Sequence, residues 1–155
     1  MLNKENIKDI CPLTSFQEGI LFSYLVNPGS DVYFQQLIFD IRKDLDVDSF
    51  FKAWRQVASR HDALRTVFSL DSKNLMQVIL KDSEFDFEFF DLTDEDEELN
   101  QYRFDELLTS DRKRNFDLRK EIAWRVKLVK KDDVFTVIFS HHHAILDGWS
   151  IEVPK

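Results

Sequence analysis

Glycine, proline and cysteine are scarce in this chain of 155 residues, which holds three, three and one of them. The lone cysteine, Cys11, has no internal partner for a disulfide, which fits a reducing cytoplasm. So few glycines leave little room for turns that demand a positive φ. No stretch approaches the roughly 18 apolar residues that a membrane-spanning helix needs. The opening Met1-Leu2-Asn3-Lys4-Glu5 lacks the apolar core of a signal peptide. Basic residues are in deficit, 21 against 29 acidic. A face for phosphate backbones needs the opposite balance, so nucleic acid is disfavoured as a partner. Phenylalanine, by contrast, is plentiful: fifteen residues within a hydrophobic content of 43%. That is apolar side chain enough for one core, in a chain the size of one domain. Together these features predict a soluble, cytoplasmic protein with no membrane partner.

Local patterns divide the chain into helices and strands. Thr14-Ser15-Phe16-Gln17 reads as a capping box, with Thr14 as N-cap and Gln17 returning the bond. Phe16, Ile20, Leu21, Tyr24 and Leu25 follow at helical spacing, and Asn27-Pro28-Gly29-Ser30 ends that helix. Val32 to Phe39 is apolar on both faces apart from Gln35 and Gln36, which predicts an interior strand. Asp46 caps a second helix, with Leu45 and Phe50 spaced as a hydrophobic staple. Its buried stripe is Val47, Phe50, Phe51, Trp54, Val57 and Ala58.

Two short strands, Val67 to Leu70 and Leu75 to Leu80, flank the turn Asp71-Ser72-Lys73-Asn74. Phe85 to Phe89 alternates as a strand with one wet face. The acidic run Asp94 to Glu98 suits a helix N-terminus and a solvated face, ahead of a weaker stripe at Leu99, Tyr102, Leu107 and Leu108. Ile122, Trp124, Val126 and Leu128 alternate with Ala123, Arg125 and Lys127, predicting another one-sided strand. Lys130 to Asp133 turns it into the apolar strand Val134 to Phe139. No internal repeat, linker or low-complexity segment interrupts the series. The expectation is an α/β unit: a two-layer sandwich in which a mixed sheet is covered by helices.

The chemistry concentrates after that last strand, in His141-His142-His143-Ala144-Ile145-Leu146-Asp147-Gly148-Trp149-Ser150. Three consecutive histidines suggest zinc, but neighbours on a strand point to opposite faces and cannot converge on one ion without a sharp bend. No Cys-x-x-Cys or His-x-x-x-His pattern supplies further ligands, so no metal is expected. His142 is read as a hydrogen-bonded core histidine beneath the loop and His141 as solvent-facing. His143 opens into the loop, where an imidazole is able to take a proton from an attacking amine or alcohol. Gly148 would let a substrate carbonyl approach the backbone, with its N–H facing a developing oxyanion.

His142 to Gly148 forms His-His-x-x-x-Asp-Gly, which resembles the core motif of the condensation domains of nonribosomal peptide synthetases, within the chloramphenicol acetyltransferase-like superfamily. Arg60-His61-Asp62-Ala63-Leu64-Arg65-Thr66-Val67-Phe68 resembles the family signature Arg-His-(Glu/Asp)-x-Leu-Arg-Thr-x-Phe. Pro12-Leu13-Thr14-Ser15-Phe16-Gln17-Glu18-Gly19-Ile20-Leu21-Phe22 is similar to its opening signature, in the form seen in domains that accept a D-configured donor. Asn115-Phe116-Asp117-Leu118 with Ile122-Ala123-Trp124-Arg125-Val126 resembles the block that precedes the histidine strand, although Glu121-Ile122-Ala123 replaces the usual Ala-Pro-Leu.

The resemblance implies a chloramphenicol acetyltransferase-like lobe, residues 1–155 matching the N-terminal one of two, with the C-terminal lobe absent. It implies His143 and Gly148 at the chemistry, and His142, Asp147 and Arg65 as structural members of the motif. Arg65 would pair with Asp147 and hold the loop. Peptide-bond formation between carrier-bound thioesters is the implied activity, with peptidyl carrier proteins as partners. Their phosphopantetheine arms arrive with them, so no bound cofactor is expected. A lobe without its mate would expose an apolar face, including Trp149 and Ile151, and self-associate. Two other readings are a superfamily acyltransferase using coenzyme A or an alcohol acceptor, and a non-catalytic interaction module or remnant.

Overall fold

Residues 3–71, 74–93 and 96–148 are described by a computed structural model. Helix α1 (Ser15–Val26) begins where the capping box places it. Thr14 Oγ1 accepts the Gln17 N–H at 3.2 Å, and Gln17 Oε1 accepts the Thr14 N–H at 2.9 Å. Helix α2 (Val47–Arg60) starts on Asp46, whose carboxylate accepts the Ser49 N–H at 2.7 Å. Leu45, Val47, Phe50 and Trp54 all pack against the core, while Val57 lies exposed at the margin of the stripe.

The strands form two sheets instead of the single one that the pattern suggests. The larger contains β2 (Phe34–Ile41), β5 (Asp86–Asp91), β6 (Trp124–Lys131) and β7 (Val134–His142), in the order β2-β7-β6-β5. It is mixed: β5 runs parallel to β6 and the other pairs are antiparallel. The smaller is antiparallel, with β4 (Asn74–Leu80) between β3 (Thr66–Asp71) and β1 (Ile7–Pro12). Residues 72–73 of the β3–β4 turn lie outside the described set, as do 94–95 of the acidic run. Helix α3 (Glu97–Arg114) begins on Asp96, whose side chain accepts the Leu99 N–H at 2.9 Å.

The two faces of the larger sheet are built differently. On one, Phe135, Val137 and Phe139 of β7 and Trp124, Val126 and Leu128 of β6 join the main core with α1, α2 and the smaller sheet. Trp54 stacks on Phe139 at 5.1 Å, and Phe85 stacks on Trp124 at 4.5 Å. The Trp124 indole N–H donates to Leu64 O at 2.7 Å, so this buried aromatic has its partner. The other face lies under α3, where Leu92, Val129 and Ile138 form a small apolar cluster with Phe90, Phe104, Leu107 and Leu108. Leu99 and Tyr102 point away from it, exposed. The helix's buried face runs instead through Asn100, Phe104, Leu107, Leu108 and Asp111.

Two strands differ from expectation in what covers them. β6 is buried on both faces, because Arg125 and Lys127 project beneath α3 rather than into water. β2 is an edge strand of its sheet, with Ile38 and Phe39 exposed. Gln36, Ser140 and Arg125 stand side by side across β2, β7 and β6, and all three meet Asp111 of α3. Arg125 Nε donates to Asp111 Oδ1 at 2.6 Å, Gln36 Nε2 to Oδ2 at 2.9 Å, and Ser140 Oγ also to Oδ2. The guanidinium further donates to the backbone oxygens of Asp111 and Asn115 and lies over the Phe116 ring, 4.3 Å from its centroid.

Burial alone would raise the Asp111 carboxyl. The hydrogen bonds from Ser140 and Arg125 and the guanidinium charge outweigh it and hold the group below its ordinary value. A carboxyl depressed in the fold contributes stability above its unfolded value, and that contribution is lost as pH falls toward the folded one. Asp111→Ala strands a guanidinium that is 1% exposed. It is expected to lower unfolding stability by about 3–5 kcal/mol, read as a shift of the urea midpoint at neutral pH.

Candidate active site

β7 is hydrogen-bonded on both sides, by β2 and by β6, up to its last residues. The turn that follows is tight. Ile145 N–H donates to His142 O at 3.2 Å, and His143 N–H donates to Tyr33 O at 2.8 Å. His143 is therefore the first residue beyond a strand paired on both sides, and it is half-buried.

Its ring is held on two sides. Nδ1 lies 2.7 Å from Leu146 O, and the Phe16 ring meets it edge-on with centroids 5.3 Å apart. A carbonyl oxygen only accepts, so in the neutral imidazole Nδ1 carries the proton. Nε2 then bears the lone pair: a proton acceptor fixed by the Nδ1 bond, at the end of a rigid strand.

The other two histidines are buried, and differently. His142 Nδ1 accepts the Ala144 N–H at 3.2 Å, as a core histidine beneath the loop should. Tyr24 packs edge-on to its ring, and Tyr33 lies tilted against it. His141 does not face solvent as expected from the sequence. It is 1% exposed, tilted against Phe139 at 5.2 Å, and neither ring nitrogen has a hydrogen-bond partner among the described residues. β7 is covered on both faces here, so alternation along it exchanges one buried environment for another. Burial pushes both imidazoles down to about 4.

Arg65 is buried too, but its ion pair is with Asp62 and not with Asp147. Its Nε donates to Ala58 O at 2.9 Å, and Nη1 reaches Leu80 O and Lys81 O. The guanidinium thus closes the end of α2 against the end of β4. Thr66 Oγ1 donates to Asp62 O at 2.9 Å, so much of the Arg60–Phe68 signature is locally self-bonded. Asp147 and Gly148 lie exposed after the turn, and a Cβ at Gly148 would meet nothing within 4 Å. Trp149, Ser150 and Ile151 fall outside the described residues.

Four contributors to the site are not apparent in the sequence: Phe16 against the ring, Tyr33 and Leu146 through backbone oxygens, and Gln17, which donates to Ala144 O at 3.1 Å. In the sequence Gln17 reads as a helix cap and as a member of the opening signature, and neither reading points to the histidine turn. A cleft of about 770 Å³ between Ser83, Asp86, Arg114, Phe116 and Glu121 lies apart from the histidine turn. Arg114 pairs there with Asp86 and Glu121, so those charges serve one another. The candidate chemistry therefore centres on His143 and not on that cleft.

A mixed sheet packed with helices, with a histidine directly after its central strand, is the architecture of a chloramphenicol acetyltransferase-like lobe. The chain belongs to the condensation-domain family: residues 7–153 match the family described as Condensation domain. It is 34% identical over 154 residues to one of the linear gramicidin synthase proteins of Brevibacillus parabrevis, covering 98% of this chain and 3% of that protein. To bacitracin synthase 1 of Bacillus licheniformis it is 34% identical over 150 residues, covering 95% of this chain and 3% of the relative. The chain thus spans a small part of the curated relatives it matches. Among solved structures, the starter condensation domain of the rhizomide synthetase RzmA superposes with a TM-score of 0.82 at 22% identity, over 92% of this chain and 34% of that one. The fold is shared.

The buried imidazoles have a consequence for acid stability. Between pH about 6.5 and about 4 the unfolded chain takes up protons that folded His141 and His142 refuse, so stability falls as pH falls. With both groups in that window the slope reaches at most about 2.7 kcal/mol per pH unit. His141→Phe is expected to reduce the slope and to raise stability at pH 5, since a phenyl ring takes up no proton in the unfolded chain. Urea midpoints measured at pH 5 and pH 7.5 check both statements.

Proposed function

We propose that this chain is the N-terminal lobe of a peptide-bond-forming condensation domain of a nonribosomal peptide synthetase. The observation that carries the reading is the Nδ1 bond of His143 to Leu146 O, which leaves Nε2 as the proton acceptor at the motif position. An acceptor α-amino group attacks the carbonyl carbon of a donor thioester. A C–N bond forms, the C–S bond breaks, and the sulfur leaves. His143 Nε2 takes the proton that the amine sheds and returns it to the departing sulfur. Gly148, exposed and without a side chain, offers its N–H to the oxyanion of the tetrahedral intermediate.

Both thioesters ride on phosphopantetheine arms delivered by peptidyl carrier proteins in a cytoplasmic synthetase, and the lobe binds no cofactor of its own. The second wall of the reaction chamber belongs to a C-terminal lobe. Holding two thioesters in attack geometry is worth about 7–11 kcal/mol of barrier, which an open rim does not supply. Apolar side chains stand exposed on and around α1, among them Phe16, Phe22, Val26 and Val32. These support the further expectation that the separate lobe self-associates.

In a two-lobed domain carrying this lobe, His143→Ala is expected to lower condensation about 10²–10⁴-fold with the circular-dichroism spectrum unchanged. Dipeptidyl product from donor- and acceptor-loaded carrier proteins is the readout, and full retained turnover would remove His143 from the mechanism. The 155-residue chain by itself is expected to yield no product in that assay until a C-terminal lobe is added. Turnover by the lone chain at the rate of a two-lobed homologue refutes the division of labour.

A further inference from the structure

Ala144, directly after His143, is held through both of its backbone polar groups. Its N–H donates to His142 Nδ1 at 3.2 Å, and its carbonyl accepts from Gln17 Nε2 at 3.1 Å. Gln17 sits in the first turn of α1, 127 residues away in sequence. Both ends of its amide are engaged. Oε1 accepts the Thr14 N–H, and the Nε2 hydrogens go to Ala144 O and, at 3.3 Å, to Gln77 Oε1 of β4. Gln77 Nε2 in turn donates to Pro12 O at 3.0 Å, which fixes its own orientation. Flipping the Gln17 amide would set oxygen against oxygen at Ala144 and donor against donor at Thr14. One orientation satisfies all three partners.

Helix capping does not explain this choice of residue. A capping box accepts glutamate or glutamine at this position, because the cap needs only an acceptor oxygen. The bond to Ala144 O needs a donor, which a carboxylate lacks. Next to Gln17, the ring of Phe16 touches His143 itself. Two successive residues of α1 therefore brace the histidine turn, one through the ring and one through the backbone.

We infer that Gln17 is a positioning residue for His143: through Ala144 O it fixes the turn that sets Leu146 O against Nδ1 and leaves Nε2 free. The inference rests on the proposed role of His143, and deepens it. Losing the Gln17 bond lets the 144–146 segment relax, Leu146 O drifts from Nδ1, and the imidazole loses its preference for the Nδ1–H tautomer.

The test separates cap from brace. Gln17→Glu keeps the acceptor for Thr14 N–H and removes the donor to Ala144. Thr14→Ala removes the side-chain cap and leaves the Gln17 amide its backbone partners. The readout is the ratio of Nδ1–H to Nε2–H in neutral His143, from nitrogen-15 NMR of the 155-residue chain at alkaline pH, alongside amide-exchange protection of α1. Gln17→Glu is expected to lower the ratio about five- to tenfold, the weight of one hydrogen bond, with α1 protection retained. Thr14→Ala is expected to do the reverse, weakening α1 and sparing the ratio.

Should Gln17→Glu fail to fold, Gln17→Met, of similar length and without a donor, is expected to lower the ratio in the same way. In a two-lobed domain, Gln17→Glu is expected to lower kcat about 10–100-fold while KM for the loaded carriers stays unchanged. An unchanged tautomer ratio in the Gln17 variant, or an equal change in Thr14→Ala, overturns the inference. If instead His143→Ala keeps full turnover, the functional reading falls, while the tautomer ratio still reports on the brace.

Discussion

The contact between Asp111 and the underside of the larger sheet is the constraint on which the rest depends. One carboxylate with a fully buried side chain receives Arg125 from β6, Ser140 from β7 and Gln36 from β2. Three strands are thereby tied to α3 at a level immediately before the histidines, for Ser140 is the residue that precedes His141. A buried pair of this kind adds little net stability over an apolar one of equal shape. What it adds is register. Arg125, Ser140 and Gln36 share one row across the sheet, so a slip of one residue in any strand would turn its polar partner into the main core.

Above that row the strand carries its three histidines into three environments. His141 enters the aromatic core beside Phe139, His142 turns under the loop to receive the Ala144 N–H, and His143 leaves the strand. The alternation of a strand accounts for the first two, and the end of hydrogen bonding to β2 accounts for the third. Burial removes His141 and His142 from proton chemistry near neutral pH by favouring their uncharged forms. His143 is thus set apart by its place at the strand terminus, with two buried rings of the same type fixed beneath it.

Much of this is legible from the residues, and what is not has a common cause. Caps at Thr14 and Asp46 and the apolar strand before the histidines are local patterns with local physical causes, and each appears where the sequence places it. Arg125 and Lys127 look solvent-facing in the chain, because alternation reports polarity and not its cause. A face that meets water and a face that meets a helix bearing Asp111 leave the same pattern. His141 misleads in the same way, since nothing local marks a histidine whose opposite face is also covered. β1 is hidden because Lys8 and Asp9 break the apolar pattern, and its edge position in the smaller sheet tolerates that. The Arg65 partner turns on distance along the chain: Asp62 is three residues away and already within reach before any long-range pair forms.

Gln17 shows where a local and a distant cause meet in one side chain. Its oxygen serves the helix that contains it, and its nitrogen serves a turn 127 residues downstream. The capping pattern predicts the first bond and is blind to the second, because either glutamine or glutamate would satisfy a cap. The placement of His143 therefore draws on two independent supports. The Asp111 row holds the strand below it, and the first turn of α1 holds the loop beyond it. Such a division suits the role proposed for His143: the strand and the turn fix the backbone and Nδ1, and neither of the two supports bonds to Nε2.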